Sequence, residues 1–159
     1  MDREVLASPA SAQGMLCVPD FAGRGCPGTD PAARGMFLHI GLDATRGSFA
    51  RALLEGICCD TAEAVQYLDA LGLGAPQVVS SGGLTGFSVF NQVMAELLRR
   101  PVLVRRQRET TALGAFANAL TALGDVKSPE EFFAGYRVQE QVFEPTPQGM
   151  DLYAALLER

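Results

Sequence analysis

A single histidine, His39, is all the imidazole this chain has, which argues against both a zinc site and a Ser-His-Asp triad. Its four cysteines (Cys17, Cys26, Cys58, Cys59) contain no C-x-x-C pair, and two of them are adjacent within a helical pattern. They read as reduced and mostly packed thiols of a cytoplasmic protein. No apolar run approaches the roughly 20 residues of a membrane span, and the opening Met1-Asp2-Arg3-Glu4 is polar where a secretory leader is not. Positive charge is short as well. The net charge of −5 has the wrong sign for a nucleic-acid or anionic-membrane surface. The one basic cluster, Arg99-Arg100 with Arg105-Arg106-Gln107-Arg108, reads as a solvated edge before it reads as a phosphate-facing patch.

What is present is one domain's worth of chain, 159 residues with 48% hydrophobic and 19% charged side chains, the profile of an ordinary globular protein with a core of its own. The most informative stretch runs from Gln77 to Leu98. A β-rich run at Val78 and Val79 breaks at Gly82-Gly83, and an apolar helical pattern follows at once. Glycines at such a junction let the backbone turn sharply and approach a ligand closely. The helix after them offers unpaired N–H groups and the positive end of its dipole, which suits a phosphate. The same junction also occurs in α/β folds with no ligand, so both readings stand at this point.

Along the rest of the chain, Met15-Leu16-Cys17-Val18 and Met36-Phe37-Leu38-His39-Ile40 are short strand candidates. They are separated by a glycine- and proline-dense loop from Ala22 to Gly35. His39, alternating with apolar neighbours, reads as a structural histidine. A long helix is predicted from about Ser48 to Leu71, with Phe49, Leu53, Ile57, Val65 and Leu68 on its core face and Gly72 and Gly74 as the stop. Gly56 within it points to a closely packed neighbour. Strand Val78–Ser80, a helix with Phe90, Val93 or Met94, and Leu97 inward, strand 101–104 and a small-residue helix from Thr110 follow. Ser128-Pro129-Glu130-Glu131 is a capping box, and Thr146-Pro147 opens a last helix carrying Met150, Tyr153, Leu156 and Leu157. Alternating strands and helices predict an α/β fold with a short, mostly parallel sheet and a helical C-terminal tail. The expected layout is a single domain, 1–159, with 1–35 mostly loop, 36–125 an α/β core and 126–159 the helical tail. Only two convincing strands are present, so the chain reads as part of a sheet.

Four blocks in order resemble the C-terminal lobe of the FGGY family of carbohydrate kinases. They are Phe21-Ala-Gly-Arg-Gly-Cys-Pro-Gly-Thr-Asp-Pro-Ala-Ala-Arg-Gly35, then Arg51-Ala-Leu-Leu-Glu-Gly-Ile57, then Gly82-Gly83 through Gln92-Val-Met-Ala-Glu-Leu-Leu98, and Pro101-Val102 with Thr111-Ala-Leu-Gly-Ala115. The tail Phe143-Glu-Pro-Thr-Pro147 fits the family's closing segment. The resemblance implies a partial ribonuclease-H-like, actin-like ATPase lobe. It also implies ATP and Mg²⁺ as cofactors and a sugar or polyol as phosphoryl acceptor.

The resemblance makes the third block the adenosine motif. Gly82 and Gly83 would line adenosine or its phosphates, and Leu84, Phe87 and Ser88 would border adenine or ribose. Leu84 replaces a third glycine found in some members. Phe87 stands where Ser or Asn is frequent, and its ring either stacks on adenine or fills core, the latter being the stronger reading. That leaves Ser88 as the polar contact or helix N-cap. Asp30-Pro31 and Arg34 are expected to brace their loop.

No catalytic aspartate, acidic phosphate loop or Thr/Ser-Gly hairpin of such a kinase is found in this sequence, so no catalytic or metal-ligating residue is assigned. Mg²⁺ is expected to be held mainly by the other lobe. Phosphoryl transfer needs both walls of a cleft, and the chain is expected to be inactive alone. Two other readings compete. One is a non-catalytic nucleotide-binding or subunit-docking fragment, which self-associates or pairs with an N-terminal lobe. The other is an NADP-binding α/β domain using Gly82-Gly83-x-x-Gly86 and Arg105-Arg106, whose glycine spacing departs from G-x-G-x-x-G.

Overall fold

The computed structural model describes residues 2–105, 109–136 and 139–157. Helix α1 (Asp2–Ala7) leads into a tight turn, Ala10–Gly14, and strand β1 (Leu16–Val18), which pairs antiparallel with β2 (Met36–Leu38). Helix α2 (Arg46–Ala70) follows, then β3 (Val78–Ser80), a 3₁₀ turn at Gly83–Gly86, α3 (Ser88–Leu98) and β4 (Val102–Arg105). Helices α4 (Thr110–Leu123) and α5 (Pro129–Gly135), strand β5 (Glu140–Phe143) and α6 (Pro147–Leu157) complete the chain. The second sheet has the order β3-β4-β5.

Helix α2 is the spine, and its start is chemically defined. The Ser48 amide donates to Thr45 Oγ1 at 3.1 Å, and the Thr45 amide donates to Ser48 Oγ at 3.2 Å, a reciprocal cap. It ends where Gly72 adopts φ +76°, with the Leu73 amide donating to the Leu68 carbonyl at 3.0 Å. The buried face differs from the expected one. Its members are Ala52, Leu54, Gly56, Cys58 and Ala62, together with the charged Arg51 and Glu55, whereas Leu68 is half exposed. Phe49 and Leu53 pack at the edge of a small cluster around Ala52, and Ile57 and Val65 at the edge of the main core. The physical reason is proximity. The carbonyl of Glu4 lies 2.6 Å from where a Cβ on Gly47 would sit, and a Cβ on Gly56 would overlap the carbonyl oxygen of Cys17. α1 and β1 lie directly on the helix backbone, so small residues face them.

Helix α3 is buried on nearly every side, with nine of its eleven residues inaccessible. Val89, Phe90, Val93, Met94 and Leu97 join Val5, Leu54, Val102 and Tyr153 in one core cluster. Thus α3 is wedged between α2, α6 and the sheet, and its N-terminus is fixed in place.

The α/β architecture and the helical tail agree with the sequence reading, but among the described strands parallel pairing is confined to β3–β4, where Val78 faces Val102. β5 returns antiparallel to β4, and β1–β2 is a separate antiparallel ribbon. β1 and β2 fall on the two stretches expected as short strands, whereas β5 falls in the stretch read as helical tail. The strand expected over 36–40 ends at Leu38, because His39 takes φ +56° and lies exposed. It is not a packed structural histidine. Arg106, Gln107 and Arg108 of the basic cluster lie outside the described residues. Within the described part of that cluster, Arg100 pairs with Asp69 and Arg105 with Glu140.

Two glycine substitutions separate packing from propensity. Gly56→Ala should destabilise the protein by about 1–3 kcal/mol, because β1 has to move off the helix. Gly114→Ala on α4, where an added Cβ meets nothing, should stabilise by about 0.5–1 kcal/mol. Urea unfolding of the two variants checks both signs.

Candidate functional site

Strand β3 ends at Ser80, and the chain reverses at Gly82, whose φ of +105° and ψ of −175° only glycine adopts readily. The turn that follows is tied to itself. The Thr85 hydroxyl donates to the Gly82 carbonyl at 2.7 Å, and the Phe87 amide donates to the Leu84 carbonyl at 3.0 Å. A hydroxyl contact of 3.3 Å between Ser81 and Thr110 links the turn to the start of α4. Both glycines face open space, since an added Cβ on either would meet no atom within 4 Å. At these two glycines the turn is built for backbone shape and accessibility, while Thr85 is buried behind them.

Each of the five expected contact residues falls on this feature. Gly82 is partly buried, and Gly83, Leu84 and Ser88 are exposed. Phe87 packs against the main core cluster, in keeping with the core reading. One expectation is corrected: Ser88 is the first residue of α3, and Phe87 holds the N-cap position with no side-chain hydrogen bond. A phenyl group has no oxygen to give, so the leading N–H groups of α3 have no side-chain cap. With the helix dipole behind them, they favour an anion.

Beside the turn is a cavity of about 380 Å³, whose walls include Thr85, Ser88, Asn91, Arg105, Gln141 and Phe143. Asn91, 2% exposed, donates from Nδ2 to the Thr85 carbonyl at 2.9 Å and braces the turn from below. Sequence reasoning passed over it, because one asparagine in an apolar helix carries no motif. Gln141 and Phe143 were also missed, since β5 was read as helical tail.

A second polar centre lies behind the core. Glu55 Oε1 accepts from Arg51 Nε at 2.6 Å, from the Tyr153 hydroxyl at 2.8 Å and from the Ser11 amide at 3.0 Å. Burial, reinforced by the Glu55 carboxylate, raises the Tyr153 phenol well above its usual range and keeps it a donor. The four cysteines are free. Burial pushes the thiols of Cys17 and Cys59 up to about 11, so neither is a ready nucleophile at neutral pH. Among the described residues, no group of three or more His, Cys, Asp or Glu is placed to hold a metal ion, so they form no Mg²⁺ cage of their own. Nor is any described helix long and apolar enough to cross a membrane.

Likeness to solved carbohydrate kinases shows the fold of an actin-like ATPase lobe. The model of the FGGY family of carbohydrate kinases, C-terminal domain, matches residues 1–123, and the chain belongs to that family. It is 38% identical over 146 residues to a glycerol kinase of Bordetella parapertussis, covering 91% of this chain and 28% of that protein. It is 39% identical over 133 residues to a glycerol kinase of Trichlorobacter lovleyi, covering 83% of this chain and 27% of the relative. Among solved structures, a xylulose kinase from Rhodospirillum rubrum superposes with a TM-score of 0.78 at 30% identity, over 99% of this chain and 31% of that one. Plasmodium falciparum glycerol kinase with ADP shares the fold, with a TM-score of 0.72 at 23% identity over 99% of this chain and 33% of that one. The chain therefore spans only about a third or less of the relatives it matches.

The turn makes a direct prediction. Gly82→Ala should cost about 1–3 kcal/mol through backbone strain alone. Gly83→Ala, at a position without positive φ, should stay within about 0.5 kcal/mol of the parent. Guanidinium unfolding of both variants tests the contrast.

Proposed function

We propose that this chain is the ATP-binding C-terminal portion of a sugar or polyol kinase, and that it does not transfer phosphate by itself. In this reading Gly82 and Gly83 carry the adenosine or its phosphates, with Leu84, Phe87 and Ser88 as their border. The observation that carries it is the turn: a positive-φ glycine, an exposed second glycine and a helix N-terminus with no side-chain cap meet beside a cavity. The position of this turn within a kinase C-terminal domain adds to that support. The acceptor sugar, most of the metal coordination and the base that takes the acceptor's proton come from a complementary N-terminal lobe, with which this chain pairs. A reducing, cytoplasmic setting fits the four free thiols.

A second reading, a non-catalytic docking fragment, has its own support. β3 is paired only on its β4 side among the described residues. Val79 is 50% exposed on it, and the uncharged helix α4 leaves Phe116 and Leu123 exposed. Such surfaces favour association. The NADP reading loses ground because Arg105, one of its two arginines, is committed to Glu140 at 3.2 Å.

Calorimetric titration should show ATP and ADP binding, while a coupled assay with glycerol, xylulose or gluconate should show no turnover by the purified chain. Gly83→Glu, which places bulk and negative charge at the turn, should weaken ADP binding by about tenfold or more with little change in melting temperature. Turnover by the chain alone refutes the inactivity. Absence of nucleotide binding favours the docking fragment.

A further inference from the structure

Tyr153 and Gly149 stand one turn apart on α6, and each meets a charged side chain of another helix. The Tyr153 hydroxyl accepts from Arg51 Nη2 at 2.9 Å, and a Cβ on Gly149 would overlap the Glu96 carboxylate. Arg51 and Glu96 are 8% and 7% exposed, and both line a cavity of about 500 Å³. Leu6, Val89, Val93, Phe143 and Leu152 give that cavity an apolar wall, and its size is that of a small-molecule cleft. Glu55 takes Arg51 Nε and Tyr153 takes Nη2, while Nη1 has no partner among the described residues. Likewise Glu96 Oε1 takes Gln92 and Thr146, while Oε2 has none. Glu55 Oε2 is sealed inside the protein without a partner, but neither Arg51 Nη1 nor Glu96 Oε2 is sealed in that way. One cavity therefore holds a spare donor on a cation and a spare acceptor on an anion, with apolar surface beside them.

Charge decides what fits. Arg51 is offset by Glu55 at 2.6 Å, and Glu96 adds a negative charge to the lining. A simple carboxylic acid meets Arg51 but is repelled by Glu96, and a simple amine meets Glu96 but leaves the guanidinium donor unmet. A zwitterion satisfies both ends and brings no net charge. Helix positions one turn apart are neighbours, about 5–6 Å from each other. An ammonium and a carboxylate on one carbon, each adding a hydrogen bond of about 2.9 Å, cover a gap of that order. We infer that this cavity binds a free amino acid with an apolar side chain. Its carboxylate accepts from Arg51 Nη1, its ammonium donates to Glu96 Oε2, and its side chain packs on Val89, Val93 and Leu152. Held there, it bridges α2, α3 and α6 and stabilises the fold by binding only the folded chain. The inference is independent of the nucleotide-binding reading.

The test varies the ligand first, so that it does not depend on a variant folding. Leucine, isoamylamine (the same skeleton without the carboxylate) and 4-methylpentanoate (the same skeleton without the ammonium) are titrated into the isotope-labelled full chain and followed by NMR. Leucine should bind at least about tenfold more tightly than either analogue, in line with the loss of one charge-assisted hydrogen bond. The Arg51 Nε signal should move with the methyl signals of Val89, Val93 and Leu152, and leucine should raise the melting temperature. Equal affinity for leucine and either analogue overturns the two-ended recognition. Shifts elsewhere on the chain, or none up to millimolar leucine, overturn the site. Ala10 is exposed and lines the same cavity, away from the Arg51–Glu55–Tyr153 ring. Ala10→Phe should therefore weaken leucine at least about tenfold without lowering the melting temperature of the free chain. Unweakened leucine binding by that variant places the ligand elsewhere and refutes the site. If the variant does not fold, the comparison of the three ligands on the parent chain decides.

Discussion

Glu55 holds together parts of the chain that are otherwise far apart. Its Oε1 gathers Arg51 from the same helix, Tyr153 from the last helix and the Ser11 amide from the N-terminal turn, in a place where the carboxylate is only 2% exposed. Arg51 also donates from Nη2 to the Tyr153 hydroxyl at 2.9 Å, so the three side chains close a ring. Removing one partner of such a buried pair leaves an uncompensated charge, at a cost of about 3–5 kcal/mol. Further along the tail, Glu96 Oε1 accepts from Thr146 and from Gln92, each at 2.9 Å, and Gln92 also donates to the Glu144 carbonyl at 2.9 Å. Through these contacts the C-terminal segment clamps the middle and C-terminal half of α3, the part away from the glycine turn.

The strand–turn–helix unit was readable because its signals are local. A β-branched pair, two glycines and a 3.6-residue apolar period lie within one stretch, and each does in the fold what its chemistry suggests. Thr45 with Ser48 and Gly72 likewise set the ends of α2 by local rules. The capping sequence at Ser128 is partly realised. The Glu131 amide donates to Ser128 Oγ at 3.4 Å, while the Glu131 carboxylate accepts from the Lys127 amide at 2.6 Å, one residue earlier than a reciprocal cap requires.

What could not be read depends on tertiary contact. α1 has six residues, fewer than an isolated helix needs, and it exists because it packs on α2. β5 carries Glu140, Gln141 and Val142 largely exposed, so it shows no burial alternation, and it is a strand because β4 offers an edge. The buried face of α2 was misjudged for a related reason. Counting large apolar residues favoured Phe49 and Leu68, whereas backbone proximity selects glycine and alanine. Asn91 shows its role only once Thr85 is seen to take one end of its amide.

The Ala10–Gly14 turn has a further consequence. Ser11, Ala12 and Gln13 take φ of 55°, 43° and 61°, a left-handed run that L-residues resist by about 1–2 kcal/mol each. Two local bonds close the turn, from the Ala12 amide to the Pro9 carbonyl at 3.1 Å and from the Met15 amide to the Ala12 carbonyl at 3.2 Å, while the Ser11 amide finds its acceptor on Glu55, 44 residues away. The amino-terminal segment is thus held in part from outside itself, and it keeps this backbone only where the spine helix presents the Glu55 carboxylate to it.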